Sequence, residues 1–123
     1  SRPVDPVTRV RLMLEAYMKF AIDNPNTYQL VFCSSGDHIS IDKTADLLAL
    51  GDRCFAQLSE PVHDIAAQGR LRSGSAVEAA EVLWSGCHGL VSLLITKPSR
   101  GWSDPEQLMK VMLDGLLHGL VTD

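Results

Sequence analysis

The sequence predicts an all-α domain of five to six helices, on three observations. β-branched residues never gather into alternating runs, and aromatics make up only 6% of the chain, so the usual marks of a sheet are missing. Helix-start signals recur along the chain, as acid–proline, Asn–Pro and Ser-x-x-Glu. Between them, apolar residues return every three or four positions, the spacing of one helical face. A length of 123 residues calls for one core.

Asp5-Pro6 opens the first helix, with a capping carboxylate before a proline at the first helical position. Val7, Val10, Leu14, Tyr17, Met18 and Ala21 form its apolar stripe. Asn24-Pro25 closes that helix and opens a second in the same manner, carrying Tyr28, Leu30, Val31 and Phe32. A loop from Ser34 to about Asp42 follows. The segment from Asp42 to Gln68 is helical in pattern, but Pro61 makes it either one kinked helix or two. Gly69 terminates it, and Arg70 to Ser75 reads as a polar turn. Ser75 and Glu78 form a capping box for a long apolar helix reaching about Thr96. Pro98 to Gly101 break that helix, and Asp104-Pro105-Glu106 starts the last one. Trp102 lies in the connecting loop, where it either caps the bundle end or sits at a subunit contact.

Composition excludes several functions. With 46% hydrophobic and 21% charged residues the chain is an ordinary globular sequence. Its net charge of -4 and scattered basic residues argue against gripping nucleic acid unaided. No secretory signal is visible and no apolar run approaches membrane-spanning length, so a cytoplasmic protein without membrane contact is expected. Cys33, Cys54 and Cys87 are odd in number and form no CxxC pair, which suits free thiols in a reducing compartment. Arg9, Arg11, Glu15, Asp23, Asp46 and Asp52 read as solvated faces.

The two C-terminal helices each carry two apolar stripes, where one would serve a monomer. On the helix after Ser75 one stripe is Ala80, Trp84, Cys87, Val91 and Leu94; the other is Ala79, Val82, Gly86, Gly89 and Leu93. The last helix pairs Met109, Leu113, Leu116 and Leu120 with a second stripe of Leu108, Met112, Gly115 and Gly119. An interior helical glycine costs about 1 kcal/mol relative to alanine. The four glycines therefore need an offset, which close approach of another helix supplies. A four-helix bundle across a two-fold axis satisfies this; tight packing inside one subunit is the competing reading.

At this point the residues resemble a known family. "RLMLEAYMKFAIDNPNTYQLVF" (Arg11 to Phe32) is similar to the early ligand-domain helices of TetR-type transcriptional regulators. "AAEVLWSGCHGLVSLLI" (Ala79 to Ile95) resembles the signature of the subclass marked by Trp…His-Gly, here Trp84, His88 and Gly89. "AAQGRLRSGS" before it resembles the family's turn between the pocket helices and the dimer helix. The resemblance implies a single C-terminal domain over residues 1–123, TetR C-terminal-domain-like in fold, that binds a small apolar or amphipathic effector. It also implies a homodimer through the last two long helices. The family's DNA-reading head is not among these residues, so operator binding is expected only through an N-terminal domain. Release of a repressor from its operator is the family's usual direction; a stand-alone helical carrier or adaptor is the alternative.

The family's cavity is lined by its first, second, middle and penultimate helices. Carried onto this chain, that implies a ligand site of Tyr17, Phe20, Tyr28, Phe32, Cys54, Phe55, Trp84, Cys87, His88 and Val91. Tyr17, Tyr28 and His88 supply its polar groups, with Cys54 and Cys87 as neutral lining. His88 also reads as a half-buried histidine satisfied by a backbone or solvent partner. The histidines His38, His63, His88 and His118 are too dispersed for a local metal motif, so no metal or cofactor is expected. Cys87 and His88 are helix neighbours pointing about 100° apart, and "SGCHG" lacks the strand of a nucleophile elbow, so no enzyme is expected.

Overall fold

The computed structural model describes residues 5–29, 41–72 and 74–122, the side chains of 41–50 excepted. Five α-helices carry the chain: α1 (Pro6–Asp23), α2 (Pro25–Tyr28), α3 (Ile41–Ala67), α4 (Ala76–Thr96) and α5 (Pro105–Leu120), with a 3-10 turn at Pro98–Arg100. Among the described residues there is no strand, and the all-α expectation holds. Leu30, Val31 and Phe32, expected in the second helix, lie outside the described residues.

Local chemistry sets the helix ends. Asp5 Oδ2 accepts from the Val7 N–H at 3.1 Å, while its other oxygen takes the Arg70 guanidinium at 2.8 Å. That hydrogen bond, then the charge of Arg70, holds the Asp5 carboxyl below its ordinary pKa. The Ser75–Glu78 capping box closes in both directions, at 3.1 and 2.9 Å, and Asp104 accepts from Gln107 N–H at 3.1 Å. Asn24 closes α1 and precedes α2 as expected, but its side chain caps differently. It makes no side-chain cap for α2; its amide instead donates to the Phe20 carbonyl at 3.1 Å, finishing α1.

Gly69, at φ +68°, ends α3 in a left-handed turn. Gly69 N–H reaches the Ala66 carbonyl and Arg70 N–H the Ile65 carbonyl, the paired bonds of a Schellman motif. The residues after it are more than a polar turn. Leu71 bridges antiparallel to Val121, with Arg72 N–H on the Leu120 carbonyl at 2.9 Å and Thr122 N–H on the Arg70 carbonyl at 2.7 Å. The α3–α4 connection is thereby laced to the end of α5.

Pro61 does not divide the middle segment: α3 runs unbroken through it. Pro61, Val62 and Ile65 are all buried, so packing overrides the loss of one backbone donor. The core gathers Val10, Leu14 and Met18 of α1, Leu58 and Val62 of α3, Leu83 and Val91 of α4, and Leu113 of α5. α4 packs against α1, α3 and α5 and is the central helix. By length and composition it is also apolar enough to cross a membrane, contrary to the sequence expectation. The central helix of a bundle meets the same criterion without entering lipid.

Two of the charged residues read as solvated faces instead tie helices together. Arg9 of α1 meets Asp64 of α3 at 3.0 Å, and Arg11 meets Asp114 of α5 at 2.7 Å. Lys110 and Arg11 together hold the Asp114 carboxyl below its ordinary pKa. Trp102 closes the end of α4: its indole N–H donates to the Lys97 carbonyl at 2.8 Å. The Arg100 guanidinium covers the same ring at 4.5 Å.

Candidate functional site

α1, α3 and α4 enclose a cavity of about 500 Å³. Met13, Leu14, Ala16, Tyr17 and Phe20 line it from α1; Cys54, Gln57 and Leu58 from α3; Thr27 and Trp84 complete it. Leu14 and Leu58 are buried at the floor, whereas Ala16, Phe20, Thr27 and Gln57 are exposed and mark the mouth. The wall is apolar apart from hydroxyls, one carboxamide and one thiol, and no charged side chain lies among its described residues.

Ring packing sets the wall's shape. Trp84 is the hub, 5.4 Å from the Tyr17 ring and 5.5 Å edge-on from Phe55. Tyr28 lies behind Tyr17 at 6.1 Å and is entirely buried, so its hydroxyl must be satisfied internally. It is: Tyr28 Oη stands 2.8 Å from His88 Nδ1, and Tyr17 Oη stands 3.0 Å from the same nitrogen. Tyr17 Oη also donates to Tyr28 Oη at 3.4 Å, and Tyr28 Oη to the His88 carbonyl at 3.4 Å, so two hydroxyls and the imidazole form one hydrogen-bonded cluster. Burial lowers the His88 pKa below its ordinary value, so the ring is neutral at neutral pH. Tyr17 thus belongs to two systems, the cavity wall and the hydrogen-bonded cluster on α4.

The ten residues assigned to ligand binding separate by position. Tyr17, Phe20, Cys54 and Trp84 line the cavity. Tyr28 and His88 form the polar cluster behind it, and Phe55 buttresses Trp84. Cys87 and Val91 are wholly buried in the core, where burial pushes the Cys87 thiol up to about 12. Cys54 is also raised by burial, against the opposing charge of Arg53. Phe32 lies outside the described residues. Sequence reasoning missed Met13, Leu14, Ala16, Thr27, Gln57 and Leu58. A signal existed for most of them. Met13, Ala16 and Phe20 follow one another by three and four, Met13 precedes Tyr17 by four, and Gln57 and Leu58 follow Cys54 by three and four.

The small-residue stripes also divide. A Cβ built on Gly86 would stand 2.9 Å from Leu116 Cδ1 and 3.5 Å from Met112 Sδ, so Gly86 admits α5 of the same chain. Ala79 is buried in the core, and Leu108 and Met112 are half-buried against it. Among the described residues, no atom beyond the helix's own backbone lies within 4 Å of such a Cβ at Gly89, Gly115 or Gly119. Val82, Leu93 and Val111 are 44%, 48% and 57% exposed, a high figure for large apolar side chains on the two longest C-terminal helices.

Comparison with known proteins places this geometry. The family model described as tetracyclin repressor-like, C-terminal domain, matches residues 10–122. No curated protein and no solved structure matches the chain.

Proposed function

The chain belongs to the tetracyclin repressor-like C-terminal domain family, and from that premise we propose that it is the effector-sensing and dimerisation domain of a cytoplasmic transcriptional repressor. The observation that carries the reading is the double role of α4. One face of it closes the cavity with Trp84 and holds the Tyr17–Tyr28–His88 cluster; another leaves Leu93 48% exposed and, among the described residues, room for a Cβ at Gly89.

In this reading a small apolar effector enters between α1 and α3 and contacts Tyr17 and Trp84. A second copy of the chain packs on Val82, Gly89 and Leu93 of α4 and on Gly115 and Gly119 of α5, forming a four-helix bundle. Moving Tyr17 alters its bond to His88, and so the seating of α4, which both subunits share. The effector acts only through its differential affinity for two arrangements of the dimer. Those arrangements set the spacing of DNA-reading domains, which must match half-sites about one helical turn apart.

The test is operator release. The reading requires that the gene also encode a helix-turn-helix segment, and that the full protein hold its own promoter DNA. Screening small apolar molecules for loss of that complex should yield an effector that fails on a Trp84→Ala protein. A gene encoding no DNA-reading segment, or release unaffected by Trp84→Ala and Tyr17→Phe, overturns it.

A further inference from the structure

We propose that the ligand of this cavity is electrically neutral, with its apolar end on the Leu14–Leu58 floor and its hydrogen-bonding group at the mouth near Gln57 and Thr27. This rests on the ligand-binding reading above and narrows its ligand to molecules with an uncharged body, excluding ions whose charge would have to lie against the described floor.

The chemistry of the wall carries the argument. None of the ten described lining residues is Asp, Glu, Lys, Arg or His. A charge buried without a counter-charge loses its hydration and gains nothing in return, so such a wall selects against ions. Among the described residues, burial favours the neutral form of a thiol on the wall and of an imidazole behind it. The Cys54 thiol is raised by burial, and His88, behind Tyr17, is lowered by it. The polar groups are moreover unevenly placed. Gln57 and Thr27 are exposed at the rim, while the floor residues Leu14 and Leu58 are 3% and 2% exposed. Gln57 both donates and accepts, so it suits a carbonyl, hydroxyl, amine or amide equally.

The test uses two probes of one framework. N-phenyl-1-naphthylamine is neutral, and 8-anilinonaphthalene-1-sulfonate carries a sulfonate on the same ring system, too close to be left outside. Each is titrated by fluorescence into the wild-type chain and into Ala16→Trp, which fills the cavity from an exposed position on α1. Gln57→Phe fills it from the opposite wall, and circular dichroism checks that both variants fold. Only binding lost in the filled variants is counted, since the exposed α4–α5 face can hold either dye.

The expected result is saturable binding of the neutral probe, with the sulfonate at least about tenfold weaker at that site. Comparable affinity for both probes there overturns the neutral-ligand inference and leaves the ligand-binding reading standing. If neither probe shows binding that the filled variants abolish, both fail.

Discussion

Alanine at each glycine of α4 and α5 separates contacts inside the chain from contacts between chains. In a subunit alone, Gly89→Ala, Gly115→Ala and Gly119→Ala should each stabilise folding by about 1 kcal/mol, because alanine is the better helix former. Among the described residues, nothing beyond the helix's own backbone lies within 4 Å of the added Cβ at any of the three. If these positions admit a partner's helix, the same methyl overpacks that seam. Association should then weaken by about 1–3 kcal/mol, roughly one to two decades in Kd. Gly86→Ala is the internal control. Its Cβ meets Leu116 Cδ1 at 2.9 Å, the far end of a flexible side chain, so propensity gain and packing cost roughly cancel in folding. Association should be indifferent to it. Sedimentation equilibrium gives the Kd, and urea unfolding at several protein concentrations gives the folding term. Three alanine variants that are each more stable, with an unchanged Kd, would refute the seam argument.

Other predictions concern the cluster and the core. Tyr28→Phe removes one bond to His88 Nδ1 and should destabilise by about 1 kcal/mol in urea unfolding, while Tyr17 Oη keeps its place beside the same nitrogen. Because the folded His88 pKa lies below its ordinary value, the unfolded chain binds the extra proton first. Stability from this group is therefore complete above about pH 6.5 and falls as pH drops below it. Melting curves from pH 7.5 to 5 should show the loss, and His88→Gln should flatten it. Leu113→Ala, at a wholly buried position, should cost about 2–5 kcal/mol in unfolding free energy and leave the dimer Kd unchanged.

Much of the fold was legible because its signals are local. Asp5-Pro6, the Ser75–Glu78 box, Asp104-Pro105 and Gly69 act within one helical turn, and each does what its residue type dictates. Asn24-Pro25 closes α1 and opens α2 as expected, but an amide between two helices can serve either, and here the Asn24 side chain serves the one before. Continuity through Pro61 was hidden because it depends on the burial of Pro61, Val62 and Ile65, a tertiary property. The Leu71–Val121 bridge joins positions far apart in sequence and leaves no local pattern.

The candidate site shows the same division. Residue types put Tyr17, Trp84 and Cys54 in the right neighbourhood, but the meeting of Tyr17 and His88 spans the chain and is set by how α1 crosses α4. Spacing alone could not separate Gly86 from Gly89. Both belong to one stripe, and only the position of Leu116 shows which of them its own chain fills.

Native mass spectrometry of the chain with N-phenyl-1-naphthylamine reads both halves of the account at once. The account predicts a species of twice the 13.4 kDa chain mass carrying one probe per chain, the probe being lost and the dimer kept in Ala16→Trp. A monomer at micromolar concentration, or a dimer whose probe loading ignores Ala16→Trp, would contradict it.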